Sequence, residues 1–153
     1  MIAAALLVSP AAACNSAQEE PVAATAPSGL EVVDTKVTTQ SGETHVFKTE
    51  VARTRQQQNR GLMFRDSMAS DEGMIFPYDP PQMLSFWMKN TYIPLDIIYV
   101  GEDGRIINIH ENTVPLREEP YVSFDDAVLV LEINGGRSAE LGISAGDLVE
   151  WPR

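Results

Sequence analysis

From Leu30 onward, apolar and polar positions alternate in short runs separated by Gly, Pro, Asn and Asp. A period of two is the pattern of half-buried strands, and the separating residues are those that supply turns. Leu30 to Gln40 reads as a strand rich in β-branched residues, Ser41-Gly42 as a tight turn and His45 to Val51 as the returning strand, so a hairpin opens the domain. Thr54 followed by Gln57 predicts a capping box, Arg55 to Arg60 a short polar helix, and Gly61 its close in the left-handed conformation. Leu62 to Met68 fits neither period. Asp71-Glu72-Gly73 predicts a turn into Met74-Ile75-Phe76, after which Pro77, Pro80 and Pro81 predict a loop.

Met83 to Lys89 reads as a strand, Asn90 to Pro94 as a bend and Leu95 to Val100 as a second strand, joined through Glu102-Asp103-Gly104 to Arg105 to His110. Asn112 to Tyr121 is loop. Ala127 to Ile133 (AVLVLEI) is almost continuously apolar and suits a central buried strand, which Gly135-Gly136 ends. Ser138 to Leu141 has room for one helical turn, and Gly146-Asp147 turns the chain into a last strand, Leu148 to Trp151. Many short strands and almost no helix predict a mainly β fold: a single compact barrel- or sandwich-like domain, residues 30–153, with one or two short helices. A doubly wound α/β fold would need several long amphipathic helices, and none is visible.

The N-terminus departs from this pattern. Ile2 to Ala13 is an apolar run too short to cross a bilayer as a helix but suited to the apolar region of a signal peptide, and it ends Ala11-Ala12-Ala13-Cys14. Small residues directly before a cysteine resemble a bacterial lipoprotein cleavage site, with Cys14 as the lipidated residue. A basic leading segment is missing and Ala11 stands where a larger aliphatic residue is usual, so an ordinary secretory signal is the alternative. Export to the periplasm, with a lipid anchor at Cys14, is the expectation. Residues 15–29 (NSAQEEPVAATAPSG) lack periodicity and read as a flexible tether.

Charge narrows the partners. The chain carries 22 acidic and 11 basic residues, and with Glu19 and Glu20 set aside the domain keeps 20 acids against the same 11 bases, a net of −9. An acidic surface disfavours nucleic acid and anionic membrane surfaces, which leaves Cys14 as the one route to a membrane. A monomer is expected. Cys14 is the sole cysteine, so the domain has no disulfide, thiol nucleophile or cysteine-based metal site. No cofactor motif occurs, and His45 and His110 lack metal-ligand spacing.

The candidate chemistry centres on Phe86-Trp87-Met88-Lys89-Asn90-Thr91-Tyr92-Ile93-Pro94-Leu95-Asp96, where three polar groups interrupt apolar sequence. Buried polar groups need partners. On a strand, Trp87 and Lys89 share a face, so an indole and an ammonium would wall a small-ligand pocket together with Asn90 and Asp96. The structural alternative pairs Lys89 with Asp96 or Glu132 and uses Asn90 to close the bend before Pro94. Arg60 and Arg65 offer planar forks to a carboxylate or phosphate; beside Gly61, Arg60 is better suited to bonding helix-end carbonyls.

Met63, Met68, Met74, Met83 and Met88 fall within 26 residues, but without a compact ligand spacing they fit core packing rather than Cu(I). Asp147 reads as a turn residue. Glu132, inside an apolar strand, would have a raised pKa if unpaired, as a catalytic acid needs, and a Lys89 or Arg partner would cancel that shift.

The motifs Arg60-Gly61-Leu62-Met63-Phe64-Arg65, Gly73-Met74-Ile75-Phe76 and Phe86-Trp87-Met88-Lys89-Asn90-Thr91, with Val130-Leu131-Glu132-Ile133 and Gly146-Asp147-Leu148-Val149 after them, resemble the domain of unknown function 192 family over about residues 45–152. The resemblance implies a compact, mainly β barrel-like domain, often behind a bacterial signal or lipoprotein sequence, and implies no activity. Three functions follow as expectations. The first is binding of a small polar or anionic ligand, or of a cell-envelope component, in a cleft of Trp87, Lys89, Asn90 and Asp96 with Arg65 and Glu132. The second is an envelope hydrolase using Asp96 and Glu132. The third is a protein–protein interaction module.

Overall fold

The computed structural model describes residues 24–152. Cys14 and the whole signal-like segment lie outside the described residues. A two-residue strand, β1 (Ala24–Thr25), is followed by the predicted hairpin of β2 (Glu31–Thr38) and β3 (Thr44–Val51). Since Ala24 and Thr25 already pair with Val32 and Glu31, strand pairing begins inside the stretch read as tether, before the expected boundary at Leu30.

α1 (Arg55–Arg60) carries the predicted capping box: Thr54 accepts from the Gln57 amide, and the Gln57 side chain accepts from Thr54 in return. Gly61 ends the helix at φ 45° and ψ −136°. This is positive φ but not the left-handed helical conformation expected; a Cβ is strained at such a φ, so glycine is required there.

β4 (Glu72–Gln82) continues through the three prolines where a loop was expected. Its ladder with β9 lapses between Pro77, which still pairs with Leu129, and Gln82, so Pro80 and Pro81, which lack an N–H, fall where no ladder partner stands. The expected strand Met83–Lys89 shrinks to β5 (Ser85–Phe86), which pairs with β8 (Tyr121–Val122). Thr91 donates its amide to the Met88 carbonyl, a turn that takes Trp87 to Asn90 out of strand geometry. β6 (Leu95–Val100), β7 (Ile106–His110), β9 (Ala127–Asn134) and β10 (Leu148–Glu150) stand close to prediction, as does the short helix α2 (Arg137–Leu141).

The sheet runs β1-β2-β3-β4-β9-β6-β7, antiparallel except for the β3–β4 pair, whose crossover contains α1. β10 closes it. On one side it pairs with β2, and on the other Val149 donates to the Gly104 carbonyl and Ile106 to the Asp147 carbonyl at the start of β7. Closure encloses a core drawn from every long strand, including Val37, Phe47, Ile75, Ile98, Ile106, Leu131 and Val149. A second core lies on the opposite face of β4, β9 and β6, built from Met74, Phe76, Leu95, Ile97, Tyr99 and Val130 and covered by Leu62, Leu84, Met88 and Ile93 from the connecting segments. β9 is therefore buried on both faces, which explains its nearly continuous apolar sequence.

Candidate functional site

An open cleft of about 980 Å³ lies where the second core meets α1. One wall is aromatic. Phe86 stands edge-on to Phe76 at 5.0 Å, to Tyr99 at 6.2 Å and to Tyr78 at 6.5 Å, and Trp87 adds a half-exposed indole. Such edge-to-face contacts hold the rings rigidly. The other wall is α1, which buries none of its own residues and presents Arg55, Gln58, Asn59 and Arg60 to the cleft. Gln58 donates to the Pro77 carbonyl, fixing the helix against β4. Arg60 stacks over Phe64 at 4.8 Å instead of bonding helix-end carbonyls, and among the described residues neither Arg55 nor Arg60 forms an ion pair. Arg53 is held by Glu31 at 2.9 Å.

Glu132 lines the cleft from β9, opposite Met74 of β4 and Ile97 of β6. It is 4% exposed and forms no side-chain hydrogen bond or ion pair among the described residues; burial alone pushes its carboxyl up to about 8. Its charge in turn adds to the burial that pushes Tyr78 up to about 12 and Tyr99 higher still.

The other residues singled out from sequence scatter. Lys89 pairs with neither Asp96 nor Glu132: its ammonium lies 5.1 Å above the Trp87 ring and 3.7 Å from Glu118, so the indole contact holds although the strand that predicted it does not. Asn90 sits at φ 54°, a left-handed turn position that asparagine tolerates; its carbonyl accepts from the Phe64 amide and its side chain reaches the Met63 sulfur. Asp96 is fully buried and accepts from the amides of Asn112, Gly136 and Ser138 at 2.7–2.8 Å.

In register, Asp96 faces Ile133 while Glu132 faces Ile97, so the two carboxylates project from opposite faces of the sheet. The paired-carboxylate arrangement of the hydrolase reading is not formed. Arg65 is spent on a bidentate pair with Glu50, away from the cleft. Asp147 caps a turn, accepting from the amides of Ser144 and Gln40. Met74 and Met88 are core, whereas Met83 is exposed. Phe64 and Tyr92 form an exposed pair 6.0 Å apart at one end of α1.

Of the six predicted binding residues, then, Trp87 and Glu132 line the cleft. Sequence reasoning missed Tyr78, Phe86 and the α1 side chains other than Arg60, whose fork it weighed but assigned to helix-end carbonyls. The available signal was a capped helix with an entirely polar sequence, which covers no core and is free to wall a cleft.

The crystal structure of a protein of unknown function from Novosphingobium aromaticivorans DSM 12444 is similar at 53% identity and a TM-score of 0.82, covering 85% of this chain and 93% of that one. A crystal structure named for a candidate transcription regulator from Sinorhizobium meliloti 1021 is similar at 40% identity and a TM-score of 0.78, covering 80% of this chain and 95% of that one. No curated protein matches. The model of the family DUF192, described as uncharacterized ACR, matches residues 36–151, and with these relatives it shows that the chain belongs to that family.

Proposed function

We propose that the domain is a small-molecule binding protein whose cleft takes a ring-bearing anion. The observation that carries this reading is the pair of arginines, Arg55 and Arg60, that form no ion pair among the described residues, on a helix that walls a cleft opposite Trp87 and Phe86. A chain with a net charge of −11 has carboxylates in excess, yet among the described residues neither guanidinium is paired with one, and Arg60 rests only on the Phe64 ring. Planar forks suit carboxylate or phosphate, and the aromatic wall suits a ring. The name of the Sinorhizobium relative points to gene regulation, but the acid surplus argues against direct contact with DNA.

Phenyl phosphate, benzoate and uncharged benzyl alcohol, titrated by calorimetry, test the reading. The two anions are expected to bind, and Arg60→Ala to weaken them about tenfold, the loss of one charge-assisted contact. Benzyl alcohol binding as well as the anions, or anion affinity unchanged in the Arg55→Ala/Arg60→Ala double variant, would refute it.

We further propose that the protein works in the cell envelope. The apolar run ending Ala11-Ala12-Ala13-Cys14 supports export and lipidation. Cys14→Ser is expected to move the protein from the membrane to the soluble fraction of a bacterial host, and unchanged fractionation would count against the anchor.

A further inference from the structure

Glu132 is the buried carboxyl of the cleft, and among the described residues its side chain has no hydrogen bond or ion pair. It projects from the central strand beside Met74 and Ile97, on the face that also carries Val130, Phe76 and Tyr99. Natural cores keep few buried polar groups without partners, because each one costs the desolvation it does not recover. Asp96, one strand away, shows how this sheet treats a structural carboxylate, with three amides aimed at it. Glu132 has none and opens instead onto the cleft.

The titratable groups facing Glu132 are Tyr78 from β4 and Tyr99 from β6, and the Tyr99 hydroxyl is already donated to the Tyr121 carbonyl. The charged groups lining the cleft are Arg53, Arg55, Arg60, Asp79 and Glu118. None of them offsets the burial that raises the carboxyl to about 8, a direction that favours its protonated form. A neutral carboxyl offers one O–H donor.

We propose that Glu132, buried on the central strand and opening onto the cleft, is its inner recognition group, donating a hydrogen bond to a neutral acceptor at the far end of a ring whose anionic end lies among Arg55 and Arg60. The inference rests on the binding reading above and names its ligand class: a cyclic or aromatic carboxylate or phosphate bearing a carbonyl, ether or ring nitrogen opposite its charge. An ammonium is disfavoured at that end, since pairing would require two ions desolvated among Leu62, Phe76 and Phe86. A second anion is disfavoured because it would be desolvated at that buried end with no cation beside it.

Three benzoates of similar size separate the possibilities: 4-acetylbenzoate with an acceptor, 4-isopropylbenzoate without one, and 4-(aminomethyl)benzoate with an ammonium. They would be titrated into wild type and Glu132→Gln between about pH 6 and 9. The acetyl compound is expected to bind tightest, and its wild-type affinity to hold up to pH 7 and fall about tenfold per unit once the carboxyl ionises. Glu132→Gln, whose amide donates without titrating, keeps the affinity and loses the pH dependence.

Equal binding of the acetyl and isopropyl compounds, tightest binding of the ammonium, or a pH dependence that survives in Glu132→Gln overturns the inference while leaving the cleft reading intact. Binding of none of the three overturns both. Carbon NMR of the Glu132 carboxyl in the empty protein adds a readout without ligand: a midpoint near 8 is expected, and one near 4.5 overturns the inference alone.

Discussion

Two buried acids on neighbouring strands are treated in opposite ways at the level of single residues. Asp96 is satisfied from within, and Glu132 is not. An unfolded glutamate ionises near 4.5 and this folded one near 8, so between those values the unfolded state carries fewer protons than the folded state. Stability from this group is therefore complete below pH 4.5 and is lost as pH rises towards 8, at about 1.4 kcal/mol per unit. Glu132→Gln removes the ionisation while keeping the shape. Thermal unfolding is expected to show the variant matching wild type at pH 4 and exceeding it increasingly from pH 5 to 8; coincident curves at pH 8 would show that Glu132 has a partner. The sequence announced this residue as an acid inside AVLVLEI but left open whether it is unpaired or meets Lys89 or an arginine, because side chains far apart in sequence look available to one another until their strands are placed.

At the scale of elements, α1 decides whether there is a cleft. Six polar residues bury nothing, so the helix is held by its caps and by the Gln58 bond to Pro77. Thr54→Ala removes one half of the capping box and is expected to cost about 1 kcal/mol, read as faster amide exchange in Arg55 to Arg60, and to weaken phenyl phosphate binding without altering exchange in β9. Unchanged exchange in α1 would mean that other contacts fix the wall. The opposite wall depends on how closely β4 and β9 approach: a Cβ on Gly73 would lie 2.6 Å from the Glu132 carbonyl, so glycine is required beside the residue that forms the cleft floor. The capping box was legible because it is written within four residues. The course of β4 through Pro77 to Pro81 was not, because prolines forbid ladder bonds at their own positions without forbidding an extended path.

For the whole molecule, closure of the sheet by β10 creates an interior, and the outer face of β4, β9 and β6 then needs its own cover. The segments between strands supply that cover and leave the cleft. Asp96 ties this arrangement together, since its three amide donors come from the loop after β7 and from the segment that opens α2. Asp96→Ala orphans all three and is expected to cost about 3 kcal/mol or more in urea unfolding, with phenyl phosphate affinity unchanged at low denaturant because Asp96 faces away from the cleft. A loss of affinity at full folding would return Asp96 to the binding site.

The sequence by itself determined the mainly β class, most strand positions, the capped helix and the family, since each is carried by local periodicity or a contiguous motif. Tertiary structure alone decided that Lys89 meets Glu118, that Arg65 is taken up by Glu50, that Asp96 and Glu132 look away from each other, and that Arg55, Arg60 and Trp87 share a cleft with an unpartnered carboxyl. The physical reason is that the pairing of charges and the face a strand residue presents depend on sheet order and register, which a chain acquires only when distant strands align.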